Sequence, residues 1–236
     1  MVEEASAAIT ELGPGAAPDL LAALGSSTLR GEKHDGAAER LAVALDSVTG
    51  LAHTRLIAAE FTHKSPRVRS WALARASALP DPGTAEAAVA ALALARDKPD
   101  KDFPRLPYAA AMACASAGNL DGMDLIQARA KEDWGDVGLA VRRAMECVRG
   151  DAATEQLLAQ MAGKDRAEQV AYLRLLAGCG TKKALAEVKS HLEGSDNSLR
   201  IAAINACRGI VDGEAPIDRM SAFQAIEKAK SWAKRI

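Results

Sequence analysis

Aromatic side chains are scarce in this 236-residue chain: three Trp, two Tyr and three Phe make up 3% of it, against 49% hydrophobic residues overall. Something smaller than a ring has to fill the interior. Long apolar runs are missing too, because charge interrupts the hydrophobic segments well short of the roughly 20 residues a membrane-spanning helix needs. The start, Met-Val-Glu-Glu, is acidic where a secretory signal is basic, and no apolar stretch follows it, so neither an exported nor a membrane-inserted chain is expected. No charge sign dominates: 30 Lys and Arg against 31 Asp and Glu leave a net charge of -1, without the basic excess of a dedicated nucleic-acid binder.

Motifs that carry chemistry are equally thin. The four histidines are His34, His53, His63 and His191, with no HExxH helix and no His-Glu dipeptide. Glu60 and His63 form one ExxH with His53 seven residues ahead of Glu60, but a di-metal bundle needs two such motifs and two further carboxylates. No metal or cofactor is expected. The glycines of GPGAAPD at 13–19 lack the Lys-Ser/Thr of a phosphate loop, and no Ser or Cys sits in a nucleophile elbow, so the chain is read as a non-enzyme. Cys114, Cys147, Cys179 and Cys207 are 33, 32 and 28 residues apart, far from zinc or disulfide spacing. They read as small buried hydrophobes, and as free thiols they fit a reducing, cytoplasmic compartment.

What is abundant is alanine, 52 residues, together with 18 glycines, a composition that favours close-packed helices and gives strands little to pair with. The segments KSPRVRSWALARASALPD, WGDVGLAVRRAMECVRGD and GSDNSLRIAAINACRGIVDG repeat one pattern: a polar start, an aliphatic-Arg pair, an Ala-rich stripe and a turn. The pairs are Val68-Arg69, Val141-Arg142 and Leu199-Arg200, and AMAC at 111–114 recurs as AMEC at 144–147. Between these lie helices of a second kind, such as APDLLAALGS, GTAEAAVAALALARD and ATEQLLAQMAGKD, again with apolar positions three and four apart. Breaks fall at Gly13-Pro14, Gly50, Pro80 to Gly83, Gly118-Asn119, Gly150-Asp151, Gly180-Thr181 and Asp212-Gly213. The count is about thirteen helices in six antiparallel pairs.

Helix pairs of this length cannot bury their apolar faces alone, and stacking neighbours gives them one continuous core. The pattern resembles HEAT repeats, in which an acidic residue precedes the aliphatic-Arg pair of the second helix; Asp196 before Arg200 fits well, and Asp136 before Arg142 loosely. The resemblance implies an all-α fold, a right-handed solenoid of about six repeats at 13–49, 50–81, 82–119, 120–151, 152–180 and 181–215, capped by a helix at 216–236. The whole of 1–236 then forms one repeat domain. The repeat at 82–119 departs most, with the long connection KPDKDFPRLP and the reversed order Arg105-Leu106. EEASAAITEL at the start reads as a helix without its partner, which suggests a chain cut from a longer protein. The last segment carries Lys228, Lys230, Lys234 and Arg235 on its polar positions, as a solvated cap does.

Charge is unevenly placed. The second helices, taken as 66–80, 104–118, 136–150, 165–179 and 196–209, hold eleven Arg, no Lys and five acids, a balance of +6 against -7 for the rest. Arg69, Arg142 and Arg200 occupy the repeat's own Arg position, and Arg75, Arg149 and Arg208 fall near helix C-termini, where a cation complements the dipole. Arg67, Arg105, Arg143 and Arg174 have no such duty in the sequence pattern and define the expected partner-binding stripe, with Tyr108 and Tyr172 as neighbouring contact area. Trp71, between Val68 and Leu73, is read as core. The expectation is a protein-protein interaction scaffold whose Arg-rich concave face takes an acidic protein partner. The competing readings are nucleic-acid binding through the same face and, further off, a HEAT-like DNA glycosylase.

Overall fold

Apolar positions three and four apart in alanine-rich segments can bury their side chains as helices and not as strands. The computed structural model describes residues 13–26, 35–217 and 219–236, and among them it has thirteen α-helices and no strand. EEASAAITEL, His34 and Asp218 lie outside the described residues. No helix among the described residues is long and apolar enough to cross a membrane.

The chain divides into two compact units, Met1–Ala117 and Gly118–Ile236. In the first, α1 (Ala17–Leu24) packs on α2 (Asp35–Val48), α3 (Thr54–Ala59) on α4 (Pro66–Ala78), and α5 (Ala85–Asp97) on α6 (Leu106–Ser116). Second helices also touch in succession, α2 with α4 and α4 with α6, while α3 meets α5. The second unit holds α7 (Met123–Glu132), α8 (Trp134–Cys147), α9 (Asp151–Met161), α10 (Arg166–Cys179), α11 (Leu185–Glu193), α12 (Asn197–Cys207) and α13 (Ala222–Arg235). Here α10 is the central element, packed on α7, α8, α9 and α12, and its Leu173, Leu175, Leu176 and Cys179 are fully buried. The last helix covers α11 and α12 with Ala225, Ala229 and Trp232.

Local chemistry sets the boundaries. Pro66 opens α4 where its missing N–H costs nothing. Asp165 and Glu168 form a reciprocal capping box on α10, as Ser221 and Gln224 do on α13. From Gly50 onward the expected glycine and proline breaks fall between α-helices or at the first residue of one, with Gly118 and Gly213 at positive φ, and Gly13, also at positive φ, opens the described residues. A polar link that the sequence does not advertise recurs between pairs: the Thr54 hydroxyl donates to Asp81 in the first unit, and Thr154 donates to Thr181 (3.3 Å), which donates to Asp151 (2.7 Å), in the second.

The interior is built from small residues, as the shortage of rings requires. Phe61 is the one aromatic among the largest fully buried side chains, surrounded in kind by Leu, Ile, Met and Val. Close approach replaces bulk: a Cβ on Gly178 of α10 would stand 2.6 Å from Cβ of Met145 on α8. Trp71 is core at 7% exposure, as read from its neighbours. One cysteine departs from expectation. Cys114, Cys179 and Cys207 are buried, but Cys147 is exposed, because it lies eight residues after the exposed Leu139 and four after the exposed Arg143 on the outer face of α8.

Candidate functional site

Of the eleven second-helix arginines, nine have side-chain partners within their own unit. In the first unit Arg67 pairs with Asp35 at 2.6 Å and stands 5.8 Å over the Phe103 ring. Arg69 donates to the His63 carbonyl at 2.8 Å, and Arg75 to the carbonyls of Asp46 (2.7 Å) and Thr49. Those last two oxygens belong to the C-terminal end of α2, so Arg75 serves the dipole of its neighbour and not only that of its own helix.

The second unit repeats the device. Arg174 of α10 donates to the Ala130 carbonyl in the last turn of α7 at 3.0 Å, and its guanidinium lies 5.0 Å from the Trp134 ring centroid. Burial there pushes the Arg174 pKa down. Arg149 donates to the Gly209 carbonyl at 3.1 Å, Arg208 to Ala215 at 3.0 Å, and Arg142 lies 3.0 Å from Glu146. Arg166 pairs with Asp196 at 2.6 Å, and Arg200 reaches the Gly194 carbonyl.

Two arginines are left. Arg105 at the start of α6 and Arg143 in the middle of α8 are exposed, and neither side chain has an ion-pair or hydrogen-bond partner among the described residues. Arg143 has company of a particular kind: Leu139, one helical turn earlier, is 66% exposed, and Ala140 and Cys147 share the outer face. This small apolar and cationic patch is the candidate site. No family model, curated protein or solved structure matches this chain.

The six residues expected to bind a partner fall into distinct environments. Arg67 and Arg174 do carry intramolecular duties, to Asp35 and to Ala130 with Trp134. Tyr172 is buried at 6% exposure, its hydroxyl pKa raised by that burial and then by Glu168 and Asp124. Tyr108 is half-buried and engaged with its surroundings. Arg105 and Arg143 keep their guanidinium groups for solvent or for a ligand. Leu139 escaped notice in the sequence, although its place four residues before an unassigned arginine marks it as sharing that face. A second exposed apolar pair, Phe223 (74%) and Ile226 (38%), lies on α13.

The first unit also holds an open groove of about 430 Å3 between α2 and α4, with Trp71 at its base donating to Asp46 at 3.0 Å and the Arg67–Asp35 pair at its edge. His53 and His63 accept backbone N–H bonds at Nδ1, from Gly50 (3.0 Å) and Ser65 (2.9 Å), which makes turn-fixing groups of them. Among the described residues no three His, Cys, Asp or Glu side chains come together as metal ligands would.

Proposed function

We propose that this chain is a non-enzymatic adaptor, a right-handed α-solenoid of about six HEAT-like repeats, that holds an acidic segment of a protein partner against its second helices. One observation carries the reading: on α8 an apolar side chain 66% exposed sits one turn from an arginine without an internal partner. Arginine beside exposed apolar area is the composition in which binding energy concentrates at protein interfaces.

The occupied arginines support the acidic character of the partner. Those bound to carbonyls, such as Arg149 and Arg174, spend hydrogen bonds without being neutralised, so their charge still contributes to the field of the second helices. Such a field raises association rates with an acidic partner and selects against basic ones. The succession of second-helix contacts, α2 to α4 to α6 and α8 to α10 to α12, supports the solenoid reading within each unit.

The test is photo-crosslinking in a cell lysate from a benzoyl-phenylalanine placed at position 139, with protein and nucleic acid both analysed. A defined protein adduct that disappears in R143E supports the adaptor. An adduct unchanged in R143E moves recognition off this patch, and adducts with nucleic acid alone replace the adaptor reading by nucleic-acid binding.

A further inference from the structure

The long connection after α5 closes a second cavity in the first unit, of about 210 Å3, that the adaptor reading does not use. Its walls are apolar: Phe61, Leu73 and Leu106 are buried, and Leu94 and Ala91 complete the floor from α5. Its mouth is charged. Arg69 and Lys98 face it together with Asp100.

The charges at this mouth are poorly matched. The Arg69 side chain is 18% exposed, and its Nη1 is taken by the carbonyls of His63 (2.8 Å) and Lys64 (3.4 Å). Its Nη2 faces the Asp100 carboxylate across 3.8 Å, too far for a hydrogen bond. Asp100 is itself occupied, accepting the Asp102 N–H on Oδ1 at 3.0 Å. The Lys98 ammonium has no ion-pair partner among the described residues. A largely buried guanidinium with a loose counter-charge, a free ammonium and an apolar chamber behind them are complemented by a carboxylate head on a short aliphatic body.

We propose that this cavity binds a small aliphatic monocarboxylate, its carboxylate bridging Arg69 Nη2 and Lys98 and its hydrocarbon lying against Phe61, Leu73 and Leu94. At roughly 30 Å3 per water, the chamber takes a body of about six to eight heavy atoms. The strap 98–105 holds the mouth: Asp100 is the resident counter-ion that the ligand displaces, and Phe103 anchors the strap beneath Arg67. The proposal is independent of the adaptor reading, since none of these residues belongs to the α8 patch.

The test is a titration of the full chain with 4-methylpentanoate, followed by 1H–15N correlation spectra, with 4-methylpentanamide as the uncharged control. For a ligand of eight heavy atoms a Kd of order 1 mM is expected, with shifts confined to residues lining the cavity. D100N, which keeps an Oδ1 acceptor for the Asp102 amide, should tighten binding by about threefold or more by removing the competing charge, and K98Q should weaken it by about as much. L94W should fill the chamber and abolish binding with the far-ultraviolet circular dichroism unchanged. Should L94W fail to fold, the opposite signs of D100N and K98Q decide the matter. No localised shifts at about 20 mM ligand in both the native chain and D100N, or equal affinity for the amide, overturns the proposal.

Discussion

Gly209 lies against the backbone of Ala177: a Cβ built on Gly209 would stand 1.9 Å from the Ala177 carbonyl oxygen and 2.8 Å from its carbon. Carbonyls of a packed helix do not swing aside as the tip of a lysine does, so α10 and the chain just after α12 approach at a distance that only glycine permits. The same glycine offers its own carbonyl to Arg149.

G209A should therefore destabilise the protein by about 3 kcal/mol, the upper range for overpacking a close contact. Urea unfolding measures it. G50A, at a site where a Cβ meets nothing within 4 Å, is the control and should stay within about 0.5 kcal/mol. A G209A midpoint equal to native would mean that the two segments separate at no cost.

The arginines should divide by employment. R174A removes a carbonyl bond and a cation over the Trp134 ring, and should cost about 1–2 kcal/mol. R143A, which removes neither, should unfold within about 0.5 kcal/mol of native. Equal losses in the two variants would show that Arg143 has a structural role.

Thiol chemistry should single out one cysteine. Cys147 is exposed, with a pKa raised first by partial burial and then by Glu146, whereas Cys179 and Cys207 are buried and pushed up to about 12. Iodoacetamide at pH 8 should alkylate Cys147 in the native chain, more slowly than a free thiol, and leave the other three until the chain unfolds. E146Q should speed that reaction. Peptide mass spectrometry locates the label, and early modification of Cys179 or Cys207 would contradict their burial.

Acid should weaken the fold through its caps. The Asp196 pKa lies below the ordinary 3.8, held down by the backbone N–H of Leu199, the guanidinium of Arg166 and the N–H of Ser198, against its desolvation. A carboxyl lowered on folding binds fewer protons folded than unfolded, so its stabilisation is whole above the ordinary value and is lost as pH falls through the lowered one. Asp81, Asp151, Asp165 and Asp212 are lowered in the same direction. Tm should be level from about pH 7 to 5 and drop below about pH 4, and D196N, still a competent cap but uncharged, should drop less steeply over that window. A Tm that is flat to about pH 2 would show that these carboxylates do not contribute.

The helices were legible because glycine, proline and capping residues act over three or four positions, so Pro66, Asp165 and Asp196 announce their helices within a single window. Trp71 was legible as core for the same local reason. The site was less so. That Arg174 answers the Ala130 carbonyl 44 residues earlier, while Arg143, on a similar stripe, answers nothing among the described residues, depends on how α7, α8 and α10 meet, and no local pattern encodes that. Cys147 and Cys114 occupy matching places in AMEC and AMAC, yet one is exposed and the other buried, because the faces of α8 and α6 are covered differently. A backbone carbonyl has no letter of its own in a sequence, so an arginine whose partner is a carbonyl looks unemployed.

That habit of bonding to the main chain has an evolutionary corollary. Arg75, Arg149 and Arg174 fasten separate segments together through oxygens that every residue type possesses, so the bond itself asks for no particular side chain on the receiving residue; Gly209 is fixed by its contact with Ala177 and not by this bond. Helix pairs braced in this way do not depend on a matching acidic side chain across each joint. A single guanidinium per joint can then hold two helices together while the acids around them change.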